Sequence, residues 1–268
     1  MNQIKKLSII IISKNEEKNI GKLLHSIKLQ RFPVPYELIL SDNDSKDATV
    51  KIAKGYGAEV SKGGLPAAGR NSGAKKATGD LLLFLDADTI LPIGFIERNL
   101  KEFVERDLAL AAVLSRVNTK KVIYQRMYDL GNLFILLSEN ISPYATGHCI
   151  FCPAAIHRKI NGFNETLNHG EDFDYAKRAA KQGKFGVLRS VPIITSTRRF
   201  EKEGVNKIII RGLAYLALKN MVGHETAAMF KYDFDYSSPE NRKSLPIIKK
   251  LRKKLSGLRR TAILAERR

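Results

Sequence analysis

Residues 79–92 read GDLLLFLDADTILP. Leu81 to Leu85 form an unbroken apolar run, with Gly79 before it and Pro92 after it. A run this short, bounded by turn residues, predicts a strand buried on both faces, as in a parallel sheet. It ends on two carboxylates one residue apart, Asp86 and Asp88. Side chains alternate along a strand, so the two point the same way if the strand continues. Like charges held together in a buried place repel unless a cation sits between them. Carboxylate oxygens there suit Mg²⁺ or Mn²⁺, and Mg²⁺ usually completes its shell with phosphate oxygens and water. Taken alone, an Asp-x-Asp also fits a polar strand end that runs into a turn.

The flanking sequence alternates strand and helix signals. LSIIIIS (7–13), YELILSD (36–42) and AEVSKG (58–63) read as strands. Between them, residues 15–30 carry Ile20, Leu23, Leu24 and Ile27 at helical spacing. SKDATVKIAKGYG (45–57) reads as a helix with Ser45 as cap and Gly57 as stop. PAAGRNSGAKKATG (66–79) reads as a short helix. Such alternation predicts an α/β fold with a largely parallel sheet, and ligands in such folds sit beyond the carboxyl ends of the strands. Asp42 and Asp86 both stand at such ends. Farther on, 109–117 and 147–153 read as strands, 124–141, 170–183 and 204–223 as helices, and 185–200 as extended. Pro239 marks a boundary before a basic tail. The expected division is a domain over 1–222 and an extension over 223–268.

Composition bounds the function. Of 268 residues, 44% are hydrophobic and 27% charged, as in an ordinary globular protein with a sizeable core. Two cysteines cannot build a disulfide framework, so a reducing cytoplasm is the expected location. No run approaches the roughly 18 apolar residues of a membrane span. The formal charge is +19, and residues 240–268 hold eleven Lys/Arg against two acids. A surface that basic calls for an anionic partner.

Other stretches carry chemistry. LSDNDSKDAT places Asp42 where its carboxylate can accept from a uracil or guanine N–H, although an Asx turn with a helix cap needs no ligand. GLPAAGRNSGA sets Arg70 among small residues, where a guanidinium can reach a diphosphate or lie on an ordinary helix surface. HGEDFD puts Glu171 and Asp172 at a helix start, which the helix dipole alone would favour. His148, Cys149, Cys152 and His157 resemble a zinc set only superficially, because the paired spacing of a zinc site is missing.

The motifs SIIIISKNEE, LSDNDSKDAT, AAGRNSGAKKATGDLLLFLDAD and TGHCIFCPAAIHRKINGFNETLNHGEDFDYAKRAAKQG, in that order, resemble the family 2 glycosyltransferases of GT-A fold, over about residues 7–200. The resemblance implies a Rossmann-like mixed sheet flanked by helices, with a C-terminal helical extension. It implies an inverting enzyme that moves a sugar from a nucleoside-diphosphate donor, a UDP- or GDP-sugar, to an acceptor hydroxyl. Ser13 and the loop Asn15 to Glu17 would line the nucleotide pocket, and Asp42 would read the base. Arg70 would lie near base or diphosphate. Asp88 would be the direct metal ligand, with Asp86 nearer the ribose. Asp172 would be the general base, with Glu171 setting its environment. Many members of the family carry a further His that completes the metal shell. Here STRRFEKEG has Arg198 and Arg199 instead, and Arg199 is the candidate for the leaving diphosphate. His224, farther on, is a lone histidine that reads as structural.

The tail sets Ile247, Ile248, Leu251, Leu255 and Leu258 among basic residues. It reads as a basic amphipathic helix for the anionic inner face of a membrane, or as a tail packed on the domain. A lipid-linked or cell-surface glycan precursor is the matching acceptor. Two alternatives are weaker. A sugar-phosphate nucleotidyltransferase needs a glycine-rich loop that SIIIISKNEE lacks. A nucleic-acid binder needs aromatics among its basic residues, and none follows Tyr236, so no nucleic acid is expected.

Overall fold

The computed structural model describes residues 4–167 and 170–208. The expected boundary near residue 222, His224, most of the apolar helix 204–223 and the basic tail lie outside the described residues.

The strands are β1 (Leu7–Ser13), β2 (Tyr36–Asp42), β3 (Glu59–Lys62), β4 (Leu81–Asp86), β5 (Thr89–Ile90), β6 (Leu108–Val117), β7 (Cys149–Pro153) and β8 (Lys184–Thr195). They form one sheet in the order β3-β2-β1-β4-β7-β6-β8-β5. β3, β2, β1 and β4 run parallel, and β7 is antiparallel to both β4 and β6. β6 and β8 are parallel, and β5 closes the far edge antiparallel to β8. The sheet is therefore mixed, as the family resemblance implies, and its β3-β2-β1-β4 half is the parallel part that the alternating sequence predicts.

The helices are α1 (Glu17–Lys28), α2 (Thr49–Gly55), α3 (Pro66–Lys76), α4 (Phe95–Glu105), α5 (Val122–Ile141), α6 (Ala154–Lys159), α7 (Glu171–Ala179) and α8 (Arg198–Glu203). Two apolar layers result, one on each face of the sheet. One joins Leu7, Ile9 and Ile11 of β1 to Ile20, Leu23, Leu24 and Ile27 of α1 and to Phe95, Leu100 and Phe103 of α4. The other joins Ile10 and Phe84 to Phe163, Tyr175 and Ala176. Strands sandwiched this way must be apolar on both sides, which is why β1 and β4 read as continuous Ile and Leu runs.

α3 packs through small residues. Ala67, Gly69 and Gly73 are its buried face, and a Cβ on Gly73 would strike Ile10. This close approach lowers Arg70 of the same helix into the protein.

Three local expectations need correction. β4 stops at Asp86, and residues 87 and 88 form a turn, so Asp86 and Asp88 are not alternate positions of one strand. α2 begins at Thr49 with Ala48 at its cap position, so Ser45 is not a helix cap. Residues 198–200 are not extended. They open α8, because β8 ends where its pairing with β5 runs out at Thr195.

Candidate active site

The strand register fixes the floor of the site. Ser13 pairs with Asp42, and Ile12 pairs with both Ser41 and Asp86. Ser13, Asp42 and Asp86 thus stand side by side at the carboxyl ends of β1, β2 and β4, where open α/β sheets bind ligands.

Asp42 is buried and held from three directions. Its Oδ1 accepts from Ser13 Oγ at 2.8 Å and from Ser45 Oγ at 2.6 Å, and its Oδ2 accepts from the Ser45 backbone N–H at 2.8 Å. Ser45 therefore closes an Asx-type turn onto Asp42. The Asn15 N–H donates to Ser45 Oγ at 2.8 Å, and Asn15 Oδ1 accepts from the Lys46 N–H at 2.8 Å. Asn15 adopts a left-handed conformation, φ 53°, which its short amide tolerates. The loops after β1 and β2 are thereby zipped into one wall. Glu17 belongs to the outside of that wall: it is exposed, and its carboxylate accepts from the Ala48 N–H at 3.1 Å.

Arg70 is not a surface arginine. It is only 2% exposed. Its Nη1 donates to Glu171 Oε1 at 2.9 Å, and its Nη2 donates to Asp86 Oδ1 at 3.1 Å and to the Gly147 carbonyl at 3.0 Å. Both terminal nitrogens are thus engaged with protein acceptors and not directed at an external diphosphate. Burial works against its charge, but Asp86, Glu171 and Asp172 outweigh that and raise its pKa. Its Nε is buried without a hydrogen-bond partner.

Gly147 joins Arg70 to Asp172. Its carbonyl takes the arginine, and its N–H donates to Asp172 Oδ2 at 2.8 Å. A Cβ there would come within 2.6 Å of Arg70 Nη2 and 3.3 Å of Asp172 Oδ2. Asp172 Oδ1 accepts from the Phe173 N–H at 2.8 Å, so both carboxyl oxygens are oriented by backbone. Burial first, and the Glu171 charge second, raise the Asp172 pKa well above the ordinary carboxylate range, against the pull of Arg70 and the two N–H donors.

Asp88 faces a second arginine. Pairing of Thr89 with Thr195 carries the start of α8 across to the acids. Arg198 Nη2 lies 3.4 Å from Asp88 Oδ2, and its two terminal nitrogens grip Glu16 at 2.6 and 3.0 Å. Burial, and then the Asp86 charge, push the Asp88 carboxyl up to about 7, with Arg198 acting the other way. Arg199, the expected phosphate contact, instead faces Glu203 of its own helix at 3.6 Å.

The structure thus brings Asp86, Arg70, Glu171 and Asp172 into one hydrogen-bonded chain, and Ser13, Asn15 and Asp42 into another. Glu17 and Arg199 lie outside both. Sequence reasoning named the loop through Glu16 and the Arg198–Arg199 pair but chose Arg199 of the two, and it did not single out Gly147. The signal for Arg198 was present in the RRF triplet, but only the β5–β8 pairing chooses between two adjacent arginines.

The zinc-like set does not converge. Cys149 and Cys152 are buried free thiols, and His157 Nδ1 pairs with Tyr175 Oη at 2.9 Å. His148, pushed down to about 4 by burial and Arg70, pairs with Thr146 at 3.2 Å. Among the described residues, no group of three or more His, Cys, Asp or Glu could hold a metal ion by itself.

Comparison with known proteins follows the same lines. The chain is 25% identical over 219 residues to an uncharacterized glycosyltransferase, YwdF, of Bacillus subtilis, covering 75% of this chain and 77% of that one. It is 33% identical over 136 residues to a pre-mycofactocin glycosyltransferase of Mycobacterium tuberculosis, covering 48% of this chain and 28% of that one. It is 32% identical over 147 residues to a 4,4'-diaponeurosporenoate glycosyltransferase of Staphylococcus aureus, covering 51% of this chain and 38% of that one. Among solved structures, mannosyltransferase PcManGT from Pyrobaculum calidifontis, in complex with GDP-Man and Mn²⁺, superposes with TM-score 0.63 at 15% identity, over 96% of this chain and 81% of that one. S. aureus TarS 1–349 in complex with UDP-GlcNAc superposes with TM-score 0.59 at 22% identity, over 82% and 68%. At such identities the likeness speaks to the GT-A fold. A family model described as glycosyl transferase family 2 matches residues 8–162, a span that holds Ser13, Asp42, Arg70, Asp86 and Asp88. That match covers more than half of the chain and falls on the strands whose ends build the acidic floor, so the chain belongs to glycosyl transferase family 2.

Proposed function

We propose that this glycosyltransferase moves a sugar from a nucleoside-diphosphate sugar onto an acceptor hydroxyl in one step, with inversion at the anomeric carbon. The observation that carries the reading is the acidic chain that runs from Asp86 through Arg70 and Gly147 to Asp172. It sets a donor-side acid and a candidate base at a fixed separation. The acceptor oxygen forms the new bond to the anomeric carbon, and the bond to the diphosphate oxygen breaks with its electrons on the diphosphate. The acceptor proton passes to Asp172. A raised pKa suits a base that must take a proton near neutral pH, and the backbone N–H groups of Gly147 and Phe173 hold its oxygens in place.

Asp42, with Ser13 and the Asn15 loop, forms the proposed base-reading wall, for uracil or guanine. Glu171 and Arg70 are positioning residues. Arg70 keeps the acids apart from one another's charge, and Glu171 anchors Arg70.

Asp86 and Asp88 fit a divalent cation. Their donor set is hard oxygen, and part of the rise in the Asp88 pKa is the Asp86 charge, a repulsion that Mg²⁺ or Mn²⁺ would relieve. Such an ion, when bound, supplies charge to stabilise the departing diphosphate. The GDP-Man and Mn²⁺ bound by one structural neighbour and the UDP-GlcNAc bound by another support this donor and metal reading. The proposed acceptor is a lipid-linked or cell-surface glycan precursor, met at the cytoplasmic face of the membrane. Its support is the basic sequence of residues 240–268 and the similarity to a 4,4'-diaponeurosporenoate glycosyltransferase.

The test is a thermal-shift screen of UDP, GDP and their sugars with and without Mn²⁺, followed by turnover of the best donor. A ligand of the folded state raises the melting temperature. Asp172→Asn should keep the donor shift and lose turnover by about a thousandfold or more. No shift with any nucleotide, or full turnover in Asp172→Asn, sinks the reading.

A further inference from the structure

α5 is held to the sheet by one side only. Tyr124, Ile135 and Ser138 are buried, while Val122, Ile123, Leu130, Leu133, Phe134, Leu137 and Ile141 stay exposed. Leu130, Leu133, Phe134 and Leu137 are each at least half exposed, at 60%, 52%, 50% and 55%. At about 100° per residue the exposed apolar set falls within an arc of about 120°. A contiguous apolar stripe of this kind marks a surface that something covers.

Helix α5 touches elements of the site at two points, through buried Tyr124 and through Phe134 of the stripe. Near its start, Tyr124 stacks on Phe200 of α8, with ring centroids 5.2 Å apart, and Phe200 lies two residues from Arg198. Near its end, Phe134 meets Tyr144 at 5.3 Å, and Tyr144 meets Phe173 at 5.6 Å, beside Asp172.

We infer that the exposed face of α5 docks on an anionic phospholipid surface, with the helix lying in the interface plane. The apolar arc supplies burial, and Arg126 within it, with Lys120 just before the helix, supplies attraction to headgroups. No helix among the described residues is long and apolar enough to cross a membrane, so the fitting mode is lying and not spanning. Charge chooses among occupants. A second copy of a chain of formal charge +19 is repelled, and an anionic bilayer is attracted. The placement deepens the proposed function, because a lipid-anchored acceptor would reach Asp172 from the surface on which α5 rests. The docking itself does not depend on that chemistry.

The test is flotation of the full chain with phosphatidylcholine vesicles, with and without phosphatidylglycerol. The variants are Leu130→Gln/Leu133→Gln/Leu137→Gln and Lys120→Glu/Arg126→Glu. The expected result is binding to the anionic vesicles only, lowered by about tenfold or more in each variant. Nucleotide-induced thermal shifts are measured on the same samples. Lost vesicle binding with an intact nucleotide shift supports the docking. Vesicle binding through α5 in a chain that shows no nucleotide shift also supports it, and the failure then belongs to the donor chemistry alone. Unchanged binding in the triple variant overturns the inference and assigns any membrane contact elsewhere. A concentration-dependent dimer that the triple variant disperses overturns it in favour of a second copy. A wild-type chain that ignores vesicles, with a triple variant of much lower melting temperature, overturns it in favour of the chain's own C-terminal segment.

Discussion

Replacing Arg70 by Met tests the acidic chain at its centre. The native guanidinium is buried and makes three hydrogen bonds, two of them to carboxylates. Removing one partner of a buried ion pair costs about 3–5 kcal/mol, because the other charge stays behind unpaired. Two features lower that figure here. The Asp86 side chain is 34% exposed, so water screens part of its loss, whereas that of Glu171 is only 11% exposed and carries most of the penalty. Methionine also removes the buried unpartnered Nε, which recovers about 1 kcal/mol. The expected loss is therefore about 2–4 kcal/mol near neutral pH, read from urea unfolding by linear extrapolation. Arg70→Lys keeps the charge but not the fork, and should fall between the two. Arg70→Met/Glu171→Gln should recover about 1 kcal/mol or more of the single-variant loss, because no buried carboxylate at 171 is then left alone. Activity carries a second readout. Arg70 pulls the Asp172 pKa down, so its removal moves the acidic limb of the pH–rate profile to higher pH. A loss under about 1 kcal/mol, or a double variant worse than the sum of its parts, would refute the reasoning.

Other outcomes follow from neighbouring contacts. Asp88, raised from 3.8 to about 7, binds a proton in the folded state that the unfolded chain has released, so it makes stability fall as pH rises between those values. In metal-free buffer near pH 8, Asp88→Asn should thus stabilise the chain by about 1–2 kcal/mol after allowance for solvent screening. Mn²⁺ should raise the melting temperature of the wild type and not of that variant, and an equal rise in both would remove Asp88 from the metal site. Gly147→Ala should cut turnover by about a hundredfold while leaving nucleotide binding intact, since its methyl group would push Arg70 and Asp172 out of place. Ser45→Ala removes one donor to Asp42 and the acceptor for the Asn15 N–H, and should weaken nucleotide affinity by about five- to thirtyfold in calorimetry. Cys149 and Cys152 are buried with raised pKa values, so neither should react with a thiol reagent until the chain unfolds.

The sequence by itself determined most of the strands, the α/β class and the identity of most of the acids. β1, β2 and β4 were legible because a strand buried on both faces must be apolar throughout, and few other elements have that pattern. Asp42, Asp86 and Asp88 were legible because charge at the end of such a run is conspicuous, whereas Asp172, in the first turn of a helix, stood out only through the family resemblance. The tertiary structure alone decided which groups meet. Ser45 follows a strand and precedes a helix, which is the signature of a cap, yet its hydroxyl serves Asp42 because α2 starts four residues later. Arg198 and Arg199 are equivalent as text, and the pairing of β5 with β8 brings Arg198 to Asp88 while Arg199 pairs with Glu203 of its own helix. From the sequence Arg70 reads as a diphosphate contact or a surface residue, because the helix around it has no apolar stripe that would bury it. It is buried because the small faces of Ala67, Gly69 and Gly73 let α3 sink against β1, and contact across 101 residues of chain then supplies Glu171 as its partner. Periodicity reports what a residue needs from its own element, and long-range partners are set only when the sheet order brings distant loops to one edge.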